Sequence, residues 1–265
     1  MRLATYNILH GRCPADGVVD PDRFATAVAA LDADVLGLQE VDGAQPRTRG
    51  IDFTAVAAEA MGSVAQLYAP ALVGTPGGLW VPALESGAGR PTFGIALLSR
   101  YPVTRWEVRR LPWIGAGFPL RLPGPRPAGA DSGRETRRGI MIREEPRLAI
   151  VAHLETPRGP RVVVNTHLTY LPGWGRRQLR RLRADLAEID APLALMGDLN
   201  MFGNQPAAIT GYRSLAAHKT FPAGTPRVQL DHILVRGEWG DVTASRAVRL
   251  DVSDHRALVV DVADT

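Results

Sequence analysis

Alternating apolar and polar positions open the chain. Met1-Arg2-Leu3-Ala4-Thr5-Tyr6-Asn7-Ile8 reads as a half-buried strand. Asp20-Pro21-Asp22 is a helix start, with a capping carboxylate and a proline in the first turn, and Phe24, Val28 and Leu31 follow at helical spacing. The run Asp34-Val35-Leu36-Gly37-Leu38-Gln39-Glu40 predicts a buried strand that stops on a carboxylate. Residues 52–61 predict a second amphipathic helix. Further strands are expected at Gly94-Ile95-Ala96-Leu97-Leu98, over 147–154, 161–166, 193–196 and 230–235, and over 257–262. A third helix is expected from about Arg176 to Glu188.

Strands outnumber helices, and several strands follow one another directly. That order predicts an α+β sandwich with mixed sheets rather than a doubly wound parallel sheet. Leu111 to about Arg137 is rich in proline, glycine and arginine and shows no period, so it is expected to be a long loop. Gly74-Thr75-Pro76-Gly77-Gly78 lacks the Gly-Lys-Ser/Thr ending of a phosphate loop and reads as a turn. No linker or tandem repeat divides the chain, so one domain over 1–265 is expected.

Composition narrows the classes. An apolar fraction of 45% excludes a disordered chain. The single cysteine, Cys13, excludes an internal disulfide framework. No apolar run is long enough to span a bilayer, and no signal-like core opens the chain. The expectation is a cytoplasmic protein with no membrane anchor, and a monomer. The net charge of +4 is small, but its source is unusual: Lys219 is the only lysine. Arginine suits phosphate and carboxylate, although a GC-rich genome also produces such an excess.

Polar residues recur where apolar strands end. Asn7 closes the first strand and Glu40 the second. Asn165-Thr166-His167 follows three valines, Asp198 and Asn200 follow Leu193–Met196, and Ser253-Asp254-His255 precedes the last strand. Any one of these is a turn or cap residue by default. Together, converging at one sheet edge, they collect hard oxygen ligands, amides and imidazoles, a set that suits Mg²⁺ or Mn²⁺ and a phosphate ester.

Five motifs occur in order: Leu38-Gln39-Glu40-Val41, Asn165-Thr166-His167-Leu168, Gly197-Asp198-Leu199-Asn200, Leu230-Asp231-His232-Ile233-Leu234 and Ser253-Asp254-His255. The sequence resembles the endonuclease/exonuclease/phosphatase superfamily, which includes DNase I-like and exonuclease III-like nucleases. The resemblance runs from Thr5-Tyr6-Asn7 to His255. It implies a four-layer αββα sandwich with two mixed, mostly antiparallel sheets. It implies that Glu40 is the principal metal carboxylate for Mg²⁺ or Mn²⁺, with Asn7 and Asp254 as companions. Asp198 and Asn200 would orient the attacking water and contact the phosphate. His255 would be the catalytic histidine and Asp231 its carboxylate partner. Glu145-Pro146-Arg147 matches a Glu-x-Arg element, so Glu145 would hold His167, which contacts phosphate, and Arg147 would contact phosphate or brace the site. Relatives often place an asparagine near Phe93-Gly94-Ile95, where this chain has none. An abasic-site endonuclease is disfavoured, because its tyrosine and Asp-Gly-Arg segments do not align.

Other residues are weighed separately. His10 and His153 read as structural, His232 as site wall, and His218 has no assigned role. Tyr170 and Trp174 stack on substrate or pack in the core. The arginines from Arg176 to Arg183 read as a solvated helix face. Arg121, Arg126, Arg134, Arg137 and Arg138 in the long loop are candidates for substrate contact, and Arg47 and Arg49 are weaker ones. The expected function is a Mg²⁺/Mn²⁺-dependent hydrolase of phosphoesters, foremost a phosphodiesterase or nuclease acting on DNA or RNA. The alternatives are a phosphomonoesterase or a lipid or inositol-phosphate phosphoesterase, and then a non-catalytic binding module. No exposed apolar hairpin is evident, which argues against a lipid interface.

Overall fold

The computed structural model describes residues 1–83, 89–115, 117–123, 137–171 and 173–263. The first half of the chain runs β1 (Arg2–Asn7), α1 (Pro21–Leu31), β2 (Val35–Gly43), α2 (Phe53–Met61), β3 (Ala65–Gly74), β4 (Trp80–Pro82), β5 (Thr92–Ser99) and β6 (Val103–Arg110). Then come β7 (Gly117–Pro123), β8 (Arg137–Arg143), β9 (Leu148–Thr156), β10 (Gly159–His167), α3 (Trp174–Asp185) and β11 (Leu193–Asp198). The last elements are α4 (Gln205–Thr210), β12 (Arg213–Ser214), β13 (Asp231–Arg236), β14 (Val242–Val248) and β15 (Ala257–Val262).

The cap read from the sequence at Asp20 is formed, and Asp52 forms another. Asp20 accepts from the backbone N–H groups of Asp22 and Arg23, and Asp52 does the same for Thr54 and Ala55. Alternation along the strands then sorts side chains between two faces. Leu3, Val35, Ile95 and Leu97 meet Ile150, Val163, Met196 and Ile233 in a core between two sheets. Ala4, Tyr6, Leu36 and Leu38 face the other way, against Phe24, Val28, Leu31 and Phe53 of α1 and α2. On the far side Leu179 and Leu182 of α3 cover Val162, Val164, Leu193 and Leu195. The result is the αββα sandwich.

One sheet has seven strands in the order β14-β15-β1-β2-β5-β3-β4, the other six in the order β12-β13-β11-β10-β9-β6. Each is antiparallel except for one pair: β1 with β2, and β10 with β11. A parallel pair needs a crossover, which α1 and α3 supply. Asn7 and Glu40 stand at or near the carboxyl ends of one parallel pair, and His167 and Asp198 close the other. The two strand-end sets face each other across the sandwich.

A polar joint ties the sheets just below. Gln39 Nε2 donates to Thr5 Oγ1 at 2.9 Å and to Asn165 Oδ1 at 2.6 Å. Asn165 Nδ2 donates to the carbonyls of Leu38 and Ala96 at 2.9 and 2.8 Å. All these side chains are buried. The asparagine of the Asn-Thr-His motif therefore binds sheet to sheet.

Two expectations change. Residues 111–137 are not all loop: β7 pairs with β8, Phe118 opposite Ile142 and Leu120 opposite Ile140. The period of two was there, obscured by Pro119 and Pro123, and residues 124–136 lie outside the described residues. An apolar hairpin tip also exists. Leu79 and Val81, at the β3–β4 turn, are 93% and 51% exposed. Among the described residues no helix is long and apolar enough to cross a membrane.

Candidate active site

Glu40 reaches the site because its strand bulges. Gln39 pairs with Ile95 and Val41 with Gly94, so Glu40 is the inserted residue, with φ at +57°. A left-handed non-glycine residue costs roughly 1–2 kcal/mol, and a bulge re-aims a side chain at a sheet edge. The neighbouring strand is equally constrained. A Cβ on Gly94 would lie 2.0 Å from the Ala69 carbonyl oxygen, so no asparagine fits there, and Phe93 lines the cavity instead. Gly197 is fixed in the same way: its Cβ would lie 1.8 Å from the Thr166 oxygen, and its φ is +143°. The next residues form a tight turn in which Asp198 Oδ1 accepts the Asn200 N–H at 2.9 Å.

One amide links the two carboxylates. Asn7 Nδ2 donates to Glu40 Oε1 at 3.0 Å and to Asp198 Oδ2 at 3.1 Å. Its oxygen accepts the Leu9 N–H at 3.1 Å. Asn7 was expected as a companion of Glu40 at the metal; in this orientation its amide N–H orders the two acids. Burial pushes both the Glu40 and Asp198 carboxyls above the usual carboxylate range. Asp254 does not line the cavity, but its charge adds to the field on Glu40 and on His255.

His255 and Asp231 form the expected pair, with Nδ1 2.9 Å from Oδ2. Ser253 seats the loop: its hydroxyl accepts the His255 N–H at 3.1 Å and donates to the Asn7 carbonyl at 2.6 Å. The Phe221 ring packs 4.9 Å from the imidazole. Burial works against the charged imidazole, but Asp231 and then Asp198 outweigh it and raise His255 to about 10. The free Nε2 lies 3.8 Å from Asp198 Oδ2.

His167 sits on the opposite wall, in surroundings that favour its neutral form. Burial, then Arg147 and His255, hold it well below the ordinary histidine range. Arg147 Nη1 lies 3.1 Å from His167 Nδ1, and since the guanidinium only donates, the ring hydrogen falls on Nε2. That nitrogen is 3.5 Å from Asp198 and 3.3 Å from Asn200 Nδ2. Glu145 was expected to hold His167, and it does not. It meets Arg147 at 3.5 Å, and the arginine stands between acid and imidazole. Its neighbour Glu144 is the buried one, bonded to Gln178 of α3.

These groups enclose a cavity of about 500 Å³. Glu40, Asp198, His255, His167, Arg147, Asn200, Glu145 and half-exposed Tyr170 line it. His10, read as structural, lines it too, as do Arg47, Phe93 and Phe221. The two phenylalanines carried no signal in the sequence, because any buried aromatic looks alike there. His232 is not in the wall; it bonds the Met201 carbonyl at 2.8 Å. His153 bonds Glu107 at 3.0 Å, and His218 bonds Ser245 at 2.9 Å, both away from the cavity.

The sequence pattern of the Endonuclease/Exonuclease/phosphatase family matches residues 4–255. The chain belongs to that family. No curated protein matches it. Among solved structures, an endonuclease/exonuclease/phosphatase family protein from Beutenbergia cavernae is 22% identical, with a TM-score of 0.69 over 98% of this chain and 70% of its own. The mannosyl-6-phosphatase Bt3783 of Bacteroides thetaiotaomicron is 16% identical, with a TM-score of 0.59 over the full length of both. Sphingomyelinase C of Streptomyces griseocarneus is 18% identical, with a TM-score of 0.56 over 99% of each chain. At these identities the likeness is one of fold. This endonuclease/exonuclease/phosphatase fold thus supports phosphoester hydrolysis on chemically different substrates, and the cavity residues must decide which.

Members of the family generally use divalent metals, and the donor set fits one. Glu40 and Asp198 are hard-oxygen donors joined through Asn7, and burial raises both, with His255 acting on the pair and Arg147 on Glu40. Asp198, Asp231 and His255 also place ligand atoms within 4.8 Å of one another. There, however, Asp231 already occupies one imidazole nitrogen and favours its charged form, which repels a cation.

Proposed function

We propose that this protein is a Mg²⁺- or Mn²⁺-dependent phosphodiesterase acting on nucleic acid or a nucleotide-like ester. The observation that carries the reading is the single Asn7 amide joining Glu40 and Asp198, with His255 Nε2 beside them. Glu40, with Asp254 nearby, would hold the cation, which supplies charge stabilisation to the phosphoryl oxygens when bound.

The remaining roles follow from the side chains. Asp198, raised by burial, orients a water for in-line attack and takes its proton as the new oxygen–phosphorus bond forms and the bond to the ester's leaving oxygen breaks, the leaving oxygen departing as the alcohol after taking a proton from solvent. Asp231 favours the charged form of His255, which suits it to stabilise the negative charge that builds on phosphorus rather than to take the proton. Arg147, Asn200 and neutral His167 donate hydrogen bonds to the phosphate oxygens. Tyr170 offers a half-exposed ring to a base or sugar.

A second reading, a lipid phosphodiester, draws on the exposed Leu79 and Val81 at the β3–β4 tip. One panel tests both: bis-p-nitrophenyl phosphate, p-nitrophenyl phosphate, single- and double-stranded DNA, RNA, inositol phosphates and sphingomyelin vesicles, each with and without EDTA. Turnover of diesters and nucleic acid that EDTA abolishes supports the first reading. Turnover confined to vesicles transfers support to the second. No metal-dependent turnover on any substrate would sink both.

A further inference from the structure

Arg47 lies outside the catalytic groups but on the wall of the same cavity. It rides on one 3-10 turn, Pro46–Thr48, that is firmly anchored. Buried Gln45 donates to the carbonyls of Gly74 and Thr92 at 2.6 and 3.0 Å and accepts from Thr75 at 3.2 Å. The guanidinium is then fixed in direction. Its Nε and Nη2 donate to the two oxygens of Asp42 at 2.8 and 2.7 Å, and that carboxylate has no exposed surface. The carbon of the guanidinium lies 5.6 Å from the centre of the Phe93 ring, and Phe93 is the cross-strand partner of Asp42.

Burying a carboxylate to orient one arginine is expensive in desolvation. The turn has other anchors in Gln45, although Asp42 also meets the Thr48 side chain within it. The pairing does not exhaust the arginine. A guanidinium has five N–H donors, and Asp42 takes two. Three remain on a side chain that is 32% exposed and borders the cavity. His10 beside it is neutral, since burial and then Arg47 hold it down to about 4, so it adds no charge that competes for an anion.

Phe93, beside Arg47, lines the same cavity as the catalytic residues. It also borders a small void with Arg147 and His167. Two guanidiniums, those of Arg47 and Arg147, thus line one cavity far larger than a phosphate group. We infer that Arg47 anchors a second oxyanion subsite, which binds a phosphate of the substrate other than the one cleaved. This rests on the phosphoester reading and sharpens it: the preferred substrate carries at least two phosphates. They are either successive internucleotide phosphates or a cleaved diester next to a terminal phosphate.

Calorimetric binding of thymidine 3′,5′-bisphosphate and thymidine 5′-monophosphate to the full chain, with Mg²⁺, tests this without turnover. Wild type should prefer the bisphosphate by about tenfold or more, the worth of a charge-assisted hydrogen-bonded pair. Arg47→Gln should bring that ratio towards one, and Arg47→Lys should restore part of it. Thermal melting identifies a variant that does not fold, and Arg47→Lys then carries the comparison. Hydrolysis of dTpdT with and without a 5′-phosphate, against a longer oligonucleotide, separates the terminal from the internucleotide source. A wild type that binds both probes equally, or an unchanged ratio in Arg47→Gln, would overturn the subsite alone. Folded wild type that binds neither probe would overturn the phosphoester reading with it.

Discussion

His255 holds its Nδ1 2.9 Å from Oδ2 of Asp231, a carboxylate with no exposed surface. Burial opposes the imidazolium, and the Asp231 charge and hydrogen bond outweigh it. In metal-free Asp231→Asn the imidazole should titrate well below the value of about 10 that the wild-type surroundings impose. NMR titration of the ring protons reads this directly. Turnover should fall by about 10²-fold or more as the charged form is lost. A titration that stays in place would show that the charge comes from elsewhere.

Glu40 is expected to dominate metal affinity. A ligand that binds only the folded state adds about 2.7 kcal/mol at a hundred times its Kd. Wild-type protein should therefore melt several degrees higher in saturating Mn²⁺ than in EDTA. Glu40→Gln should lose most of that rise while keeping its metal-free melting temperature or gaining slightly, because a buried acid is removed. Equal Mn²⁺-induced shifts in both proteins would remove Glu40 from the metal site.

Asn165 should matter for stability rather than chemistry. Asn165→Ala leaves the Leu38 and Ala96 carbonyls and Gln39 Nε2 short of partners between the sheets. Each unsatisfied buried group costs about 1–3 kcal/mol, so a loss of more than about 2 kcal/mol in urea unfolding is expected. The folded fraction should keep turnover near that of wild type. A large fall in turnover with stability intact would place Asn165 in the site instead.

Asp261 joins the first and last strands of its sheet. It accepts from Arg2 at 2.5 and 3.3 Å and from Arg246 at 3.2 Å, and these bonds depress its carboxyl below the ordinary range. A depressed acid stabilises the fold above its unfolded value and loses that contribution as the pH falls through the folded one. Asp261→Asn should cost about 0.5–1 kcal/mol at neutral pH, a partly solvent-screened pair being worth no more. The difference should close in strong acid. Urea melts at neutral and acid pH would show it, and a cost that persists in acid would contradict the ionic cause.

Much of this protein was legible along the chain. Period-two alternation marked the first strand and apolar runs the later core strands, Asp20 marked a helix start, and polar residues after valine and leucine runs marked the sheet edge where the site collects. These are local properties: a strand end, a cap and an apolar face depend on neighbours a few residues away.

What the tertiary structure decided are relations between distant residues. Asn7 reaches Asp198 across 191 positions, and only the meeting of two sheets sets which end of its amide faces the acids. Glu145 was two residues from Arg147 in sequence, yet packing put the arginine, not the acid, against His167. The bulge that turns Glu40 inward is a register shift in the pairing of β2 with β5, and the same pairing sets Phe93 opposite Asp42 and near Arg47. Sequence determined which chemical groups arrive at the site. Their directions, and hence their protonation and partners, came from burial and register, which exist only once the two sheets have packed.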